Sequence, residues 1–240
     1  YSSDHGQFFQ SYLLAFVYWV SLTLGCLLLL MIHHLAGGRW GFAIRRILEA
    51  GTRTLGLMLV LGIPLLLGKH GLYEWSHEEV VAADEILQKK AVFLNRTFFI
   101  LRYFVYFLVW GVLVFFLNRW TAQQDQTTET SPTRRMQVLS GPGVVVFVLF
   151  TTFAAIDWIM SLEPHWYSTM KGPWFFMGAF WSGIAATAVA VIFLKSGGGV
   201  LDKAMGRQQL HDLGKLTFAF CVFWTYLFFA QYLVIWYGKL

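Results

Sequence analysis

Charged residues are scarce in this sequence, at 13% of the chain, where soluble domains carry about a quarter. So few charges could not cover a water-facing surface of this size. Cysteine is scarcer still. Cys26 and Cys221 are the only two, each inside an apolar run. They exclude a disulfide framework and are too few for an iron–sulfur or zinc site, and they read as buried, inert thiols. The sequence has no Cys-x-x-Cys-His motif, no glycine-rich phosphate loop and no metal-ligand spacing. No signal peptide is recognisable, and no internal repeat stands out. Strand-length alternating segments are missing as well, which leaves helices rather than a barrel as the spanning element. The net charge of +5 is not a nucleic-acid signal, because the basic residues are scattered between apolar runs instead of clustering on one segment.

What the chain does have is apolar length. Hydrophobic residues reach 57% and aromatics 18%, and the Trp content of 11 suits a protein with two membrane–water interfaces. Six runs, at residues 10–33, 52–67, 93–117, 144–162, 174–194 and 213–237, approach the roughly 20 residues that span hydrocarbon. The second is the weakest, being short and interrupted by Pro64. The reading is an all-α polytopic transmembrane helical bundle with about six spans. Residues 1–120 hold three spans, 121–137 form a cytoplasmic connector rich in Gln, Thr and Ser, and 138–240 hold the other three. A chain running from Tyr1 to Leu240 reads as a portion of a longer protein. The segment with Glu78, Glu79, Asp84 and Glu85 predicts a short amphipathic helix at the outer surface.

Lys and Arg set the orientation. Arg39, Arg45, Arg46, Arg119, Arg134, Arg135, Lys195, Lys203 and Arg207 fall on one side, against Lys69, Lys89, Lys90, Lys171 and Lys239 on the other. The positive-inside rule makes the first side cytoplasmic. In the fifth run Gly178, Ser182, Ala186 and Ala190 recur every fourth residue, a small-residue stripe that predicts close helix packing.

An ionisable side chain inside a bilayer costs roughly 2.5–3.5 kcal/mol on insertion scales, so each needs a partner, a proton or water. Asn95, Arg102 and Tyr106 share one helical face by their spacing, with Arg96 nearer the outer surface. Asp157 lies shortly before Pro164, where its helix should stop, in the same outer half. Two readings are open: an ion pair joining two spans, or a polar pocket for a quinone head group or proton relay. Glu163, His165 and Tyr167 cluster with Asp157 around the outer helix end. They suit a relay or an interfacial turn with aromatic anchors. On the cytoplasmic side His33, His34, Arg53, His211, Asp212 and Lys215 gather at helix ends, either snorkelling to the interface or forming a proton uptake site. Thr217, Cys221, Thr225 and Tyr232 make a weakly polar stripe that lines a water-filled path or bonds between helices. A bis-histidine haem would need facing histidines at mid-depth. His33, His34 and His211 sit at the interface, so no haem, metal or flavin is expected in this chain.

At these residues the sequence resembles a known family. Residues 8–30 with His33-His34 and Gly37-Gly38-Arg39-Trp40, residues 157–170, His211-Asp212-Leu213-Gly214-Lys215, and residues 228–238 (FFAQYLVIWYG) are similar to the large membrane subunits of bacterial alternative complex III. These belong to the polysulfide-reductase-type, or NrfD-like, membrane anchor family. The resemblance covers most of the chain and is most specific at 161–170 and 228–238. It implies a fold of paired four-helix bundles within a longer chain. It implies a multi-pass subunit of the bacterial inner membrane that is not catalytic alone and binds no redox cofactor itself. The quinol or menaquinol, haem c and iron–sulfur clusters would belong to partner subunits. Those partners are a quinol-binding NrfD-like paralogue, iron–sulfur and multihaem cytochrome c subunits, optionally a terminal oxidase, and membrane lipids. The candidate site residues, for a proton path or a quinone pocket, are Asp157, Arg102, Arg96, Glu163, His165, Tyr167, His211, Asp212, Lys215, Thr225 and Tyr232. Lys171 and Pro173 depart from the small and aromatic residues of the family at that point. The alternatives are a passive scaffold, a quinone-binding anchor, or a secondary transporter, for which Pro64 is the one hint of a broken helix.

The charge asymmetry gives a direct test. A cysteine at Ser168 should react with an impermeant thiol reagent added outside the cell, and one at Thr127 should not; the opposite pattern would invert the topology.

Overall fold

The computed structural model describes residues 5–68, 71–197 and 205–238, and every regular element among them is helical. In order these are α1 (His5–Ala36), α2 (Arg39–Arg53), α3 (Leu55–Leu67), the short α4 (Glu78–Ala83) and α5 (Glu85–Lys90), α6 (Arg96–Gln124), α7 (Ser131–Trp158), α8 (Lys171–Ser196) and α9 (Arg207–Gly238). Two 3₁₀ turns, Glu74–Ser76 and Met160–Leu162, complete the list. Six stretches are long and apolar enough to cross a membrane: α1, the α2–α3 pair over Trp40–Leu67, α6, α7 extended to Leu162, α8 and α9. The chain is a multi-pass helical membrane protein. Lys69, Lys203 and Lys239, used above for orientation, lie outside the described residues.

The first helix is the axis of the bundle. Leu27 through Met31 are all buried. Five consecutive buried residues cover more than one turn, so every face of α1 is occupied there. Its partners are α8, α2, α7 and α3. Leucine gains nothing by leaving a lipid tail for another leucine, so the contact depends on closeness of fit. At Gly25 that fit is between backbones. A Cβ on Gly25 would stand 2.0 Å from the Ala179 carbonyl oxygen, and one on Gly183 would stand 2.6 Å from the carbonyl carbon of Gly25. The close-packing face of α8 is therefore Ala179, Gly183 and Thr187, all buried. This corrects the stripe read from the sequence, which lies one residue away. Of that stripe, Gly178 packs under the Trp224 indole, with a Cβ there meeting Nε1 at 2.9 Å. Ser182, Ala186 and Ala190 line an open groove instead.

Helices α1 and α2 are joined by only Gly37 and Gly38, with φ of +68° and +101°. Only glycine takes both values without strain. The turn folds α2 straight back onto α1, where a Cβ on Gly41 would stand 2.0 Å from His33 Nδ1. Arg45 and Arg46, which fall between the first two apolar runs of the sequence, are thus residues of a helix, and Thr54, in the helical region, links α2 almost directly to α3. This lengthens the weak second run into a full span. Pro64 deprives the Val60 carbonyl of its helical N–H partner. The two flanking carbonyls receive outside donors: Tyr12 OH donates to Leu61 O at 2.8 Å, and Tyr103 OH to Leu59 O at 2.7 Å. Gly62 makes room for the second, since a Cβ there would meet Tyr103 OH at 1.9 Å.

The polar connector is shorter than the sequence suggests. Helix α6 runs to Gln124 and α7 begins at Ser131. Gln124 Nε2 donates to Thr133 Oγ1 across the turn. Asn95, placed from its spacing on the same face as Arg102, is instead the cap of α6, its Oδ1 accepting from the Phe98 N–H at 2.9 Å. Helix α9 leans on α8 through Phe180–Phe220 and the Trp224 indole, which lies tilted against those of Trp174 and Trp181. Its other faces carry many exposed aromatic side chains, among them Phe218, Tyr226, Phe229, Trp236 and Tyr237.

Gly183→Ala should therefore destabilise the protein by about 1–3 kcal/mol, the usual cost of overpacking, because backbone must move. Ser182→Leu, facing a groove, should change thermal stability by roughly 0.5 kcal/mol or less. Thermal unfolding of both variants in one detergent checks the order.

Candidate functional site

Helix α7 ends at Trp158 because the chain turns through a 3₁₀ segment toward Pro164, which cannot follow a helical residue comfortably. Ser161 Oγ closes that turn by donating to the Asp157 carbonyl at 2.5 Å. The Asp157 side chain, fully buried, points at α6. Arg102 and Tyr106, four residues apart there, share a face. Arg102 grips the carboxylate with two donors, Nε to Oδ2 and Nη2 to Oδ1, both at 2.7 Å. Tyr106 OH donates to Oδ2 at 2.5 Å. The guanidinium lies 3.9 Å below the Phe93 ring, a favourable cation–π position. Both oxygens are used, in the fork arrangement that makes arginine–carboxylate pairs strong and directional.

Aromatic rings close the site. Trp158 contacts Phe16, Tyr103, Tyr106, Phe107 and Trp110. From above, Tyr73 OH donates to the Trp158 carbonyl at 3.1 Å. Burial, and then the negative Asp157 beyond it, hold the Tyr73 phenol well above its ordinary pKa, so it remains a donor.

The other sequence candidates fall elsewhere. Arg96 is exposed and lines an outer hollow with Trp75, Glu78 and Glu79; Asp157 pairs with Arg102 alone of the two arginines. Glu163 is exposed. His165 Nε2 lies 2.9 Å from Asp84 Oδ2, and Asp84 also caps α5 by accepting from Ile86 and Leu87 N–H groups. Lys90 donates to the Pro164 carbonyl at 2.5 Å and sits over the Tyr167 ring. These residues fasten the outer loop to α4 and α5. On α9, His211 and Lys215 are exposed and Asp212 accepts from Gln208 at 3.3 Å. Thr217 and Thr225 donate to carbonyls of their own helix, those of Leu213 and Cys221, and Tyr232 faces outward. The polar stripe of α9 therefore satisfies itself and does not line the interior of the described bundle.

A second charged group was missed. Glu49 is buried, and Arg45 and Arg46 reach it from the preceding turn at 3.3 and 2.9 Å. Arg46 also pairs with Asp125 at the end of α6, holding that carboxyl below its usual range. The four-residue spacing of Arg45 and Glu49 was the available signal. Nearby, His33 and His34 are buried, with Nδ1 of one and Nε2 of the other lacking hydrogen-bond partners. No cluster of metal-binding side chains occurs among the described residues.

The chain matches no model of a known protein family and no curated protein.

Removing one partner of a buried pair strands the other. Asp157→Asn and Arg102→Gln should each cost roughly 3–5 kcal/mol of stability. The double variant Arg102→Met/Asp157→Leu should recover part of that loss. Thermal unfolding of the three proteins tests this, and an unaltered Asp157→Asn midpoint would show the pair to be silent.

Proposed function

We propose that this protein is an integral subunit of a bacterial respiratory quinol–acceptor oxidoreductase in the inner membrane, an NrfD-like subunit of the alternative complex III type. In this reading it binds no redox cofactor and packs against its quinol-binding paralogue. The observation that carries the reading is the Asp157–Arg102–Tyr106 site. It stands where the outer segment resembling that family, residues 157–170, meets α6. A multi-pass helical chain whose last helix offers a long aromatic face suits a subunit enclosed by membrane partners. The saturated carboxylate suits a joint that fixes α6 to α7 for assembly.

A second reading, a proton path, draws on two buried polar atoms deeper in the bundle. Trp110 Nε1 and Thr151 Oγ1 lack hydrogen-bond partners. They lie on the turns of α6 and α7 inward of Tyr106 and Asp157. A path from them toward His33 and His34 would pass between α1, α6 and α7 and not along α9. Leu113, Phe147 and Met31, all buried, are the apolar stretch that water would have to bridge.

The whole complex in vesicles separates the two roles. The expected result is that this chain co-purifies with iron–sulfur and multihaem cytochrome c subunits. An assembled Asp157→Asn complex should then oxidise quinol and release protons at the wild-type ratio. Loss of proton release with electron transfer kept would establish the path instead, and purification without redox partners would defeat the proposal.

A further inference from the structure

The turn between α6 and α7 carries a cavity of about 670 Å³, independent of the site above. Trp120, Ser131, Arg134, Arg135, Val138 and Pro142 are among its walls. The two arginines are exposed, and among the described residues neither forms an ion pair. The acids of this turn do not supply one: Asp125 is held by Arg46, and Glu129 pairs with neither. Two uncompensated guanidiniums at one cavity mouth attract an anion with several oxygens, such as a phosphate ester.

The rest of the cavity tells which phosphate ester. Moving inward along α7, the wall becomes Val138, Leu139 and Pro142, with Val138 exposed. That stretch belongs to the apolar span Ser131–Leu162. Trp120, half-buried at the inner end of α6, stands at the depth where indoles prefer the headgroup boundary. Thr130 and Ser131, at the start of α7, complete the polar side of the mouth. A polar, cationic mouth above an apolar wall matches one molecule end to end: a phosphate at the arginines and acyl chains down the helix. Free phosphate would leave the wall bare.

We propose that this cavity is a binding site for an anionic phospholipid of the cytoplasmic leaflet, held by Arg134 and Arg135 through its headgroup phosphate. Such basic pockets between spans are a known mode of lipid capture. The lipid would cover the turn that joins α6 to α7 and cement the two helices at their inner ends.

The test is native mass spectrometry of the purified protein with phosphatidylglycerol and phosphatidylcholine of matched chains. Wild-type protein should retain phosphatidylglycerol preferentially. Arg134→Gln/Arg135→Gln should retain it about thirtyfold more weakly, from the loss of two surface cations. Arg207→Gln, which removes a charge from the same side at the start of α9, should bind as wild type. Equal retention by the double variant would overturn the proposal. Displacement of phosphatidylglycerol by millimolar inorganic phosphate would also overturn it, marking a free-anion site. All three proteins should show the same thermal midpoint without added lipid, because the arginines are exposed.

Discussion

A helix leaves lipid for another helix only when its surface fits that partner better than acyl chains do. The contact of α1 with α8 meets this condition at Gly25 and Gly183, where carbonyl and Cα atoms touch without side chains between them. Around this contact the rest takes its place. Helix α2 folds back on α1 through two positive-φ glycines, α7 fills the side next to α8, and α6 closes against α7 and α3. The apolar residues do little to choose this arrangement. They are equally content facing lipid, as the exposed leucines and phenylalanines of α3, α6 and α9 demonstrate.

Polar groups supply the selectivity that leucine cannot. The carboxylate of Asp157 has its donors on α6, so α6 and α7 have one preferred register at their outer ends. At the inner ends Arg46 spans from Glu49 to Asp125 and sets α2 against α6. Tyrosines do the same for α3, reaching the carbonyls beside Pro64 from α1 and α6. The Asp157 and tyrosine bonds are local ones whose alternative in hydrocarbon is an unsatisfied group, and with the Arg46 bridge they define which helix faces which.

The sequence disclosed the spans well, because apolar length is read directly and needs no knowledge of neighbours. It also disclosed that Asp157 needs a partner and offered Arg102 and Arg96 at its depth, but the choice of Arg102 depends on which face of α6 meets α7. It misplaced what depends on rotation about a helix axis. The stripe at Gly178 and Ser182 has the right spacing, but Ala179 and Gly183 have the same spacing one residue on, and only the partner distinguishes them. The threonines of α9 resembled a polar lining because hydroxyl bonds to the same helix leave no trace in spacing. Arg45 and Arg46 lie outside the apolar runs, and their helix is invisible to apolar length because it depends on the two-glycine turn that folds it back on α1.

The meeting of Gly25 with Gly183 also governs how the protein is made. The residues stand far apart in the chain, with α2 to α7 between them. At synthesis rates of roughly 5–20 residues per second, α1 enters the bilayer about ten to thirty seconds before α8 exists. During that interval α1, the most enclosed of the described spans, has its glycine face open to lipid or to the insertion machinery. The contact of α1 with α8 therefore forms only after the helices between them have been made, and factors that shelter an unfinished membrane chain would find their substrate in α1.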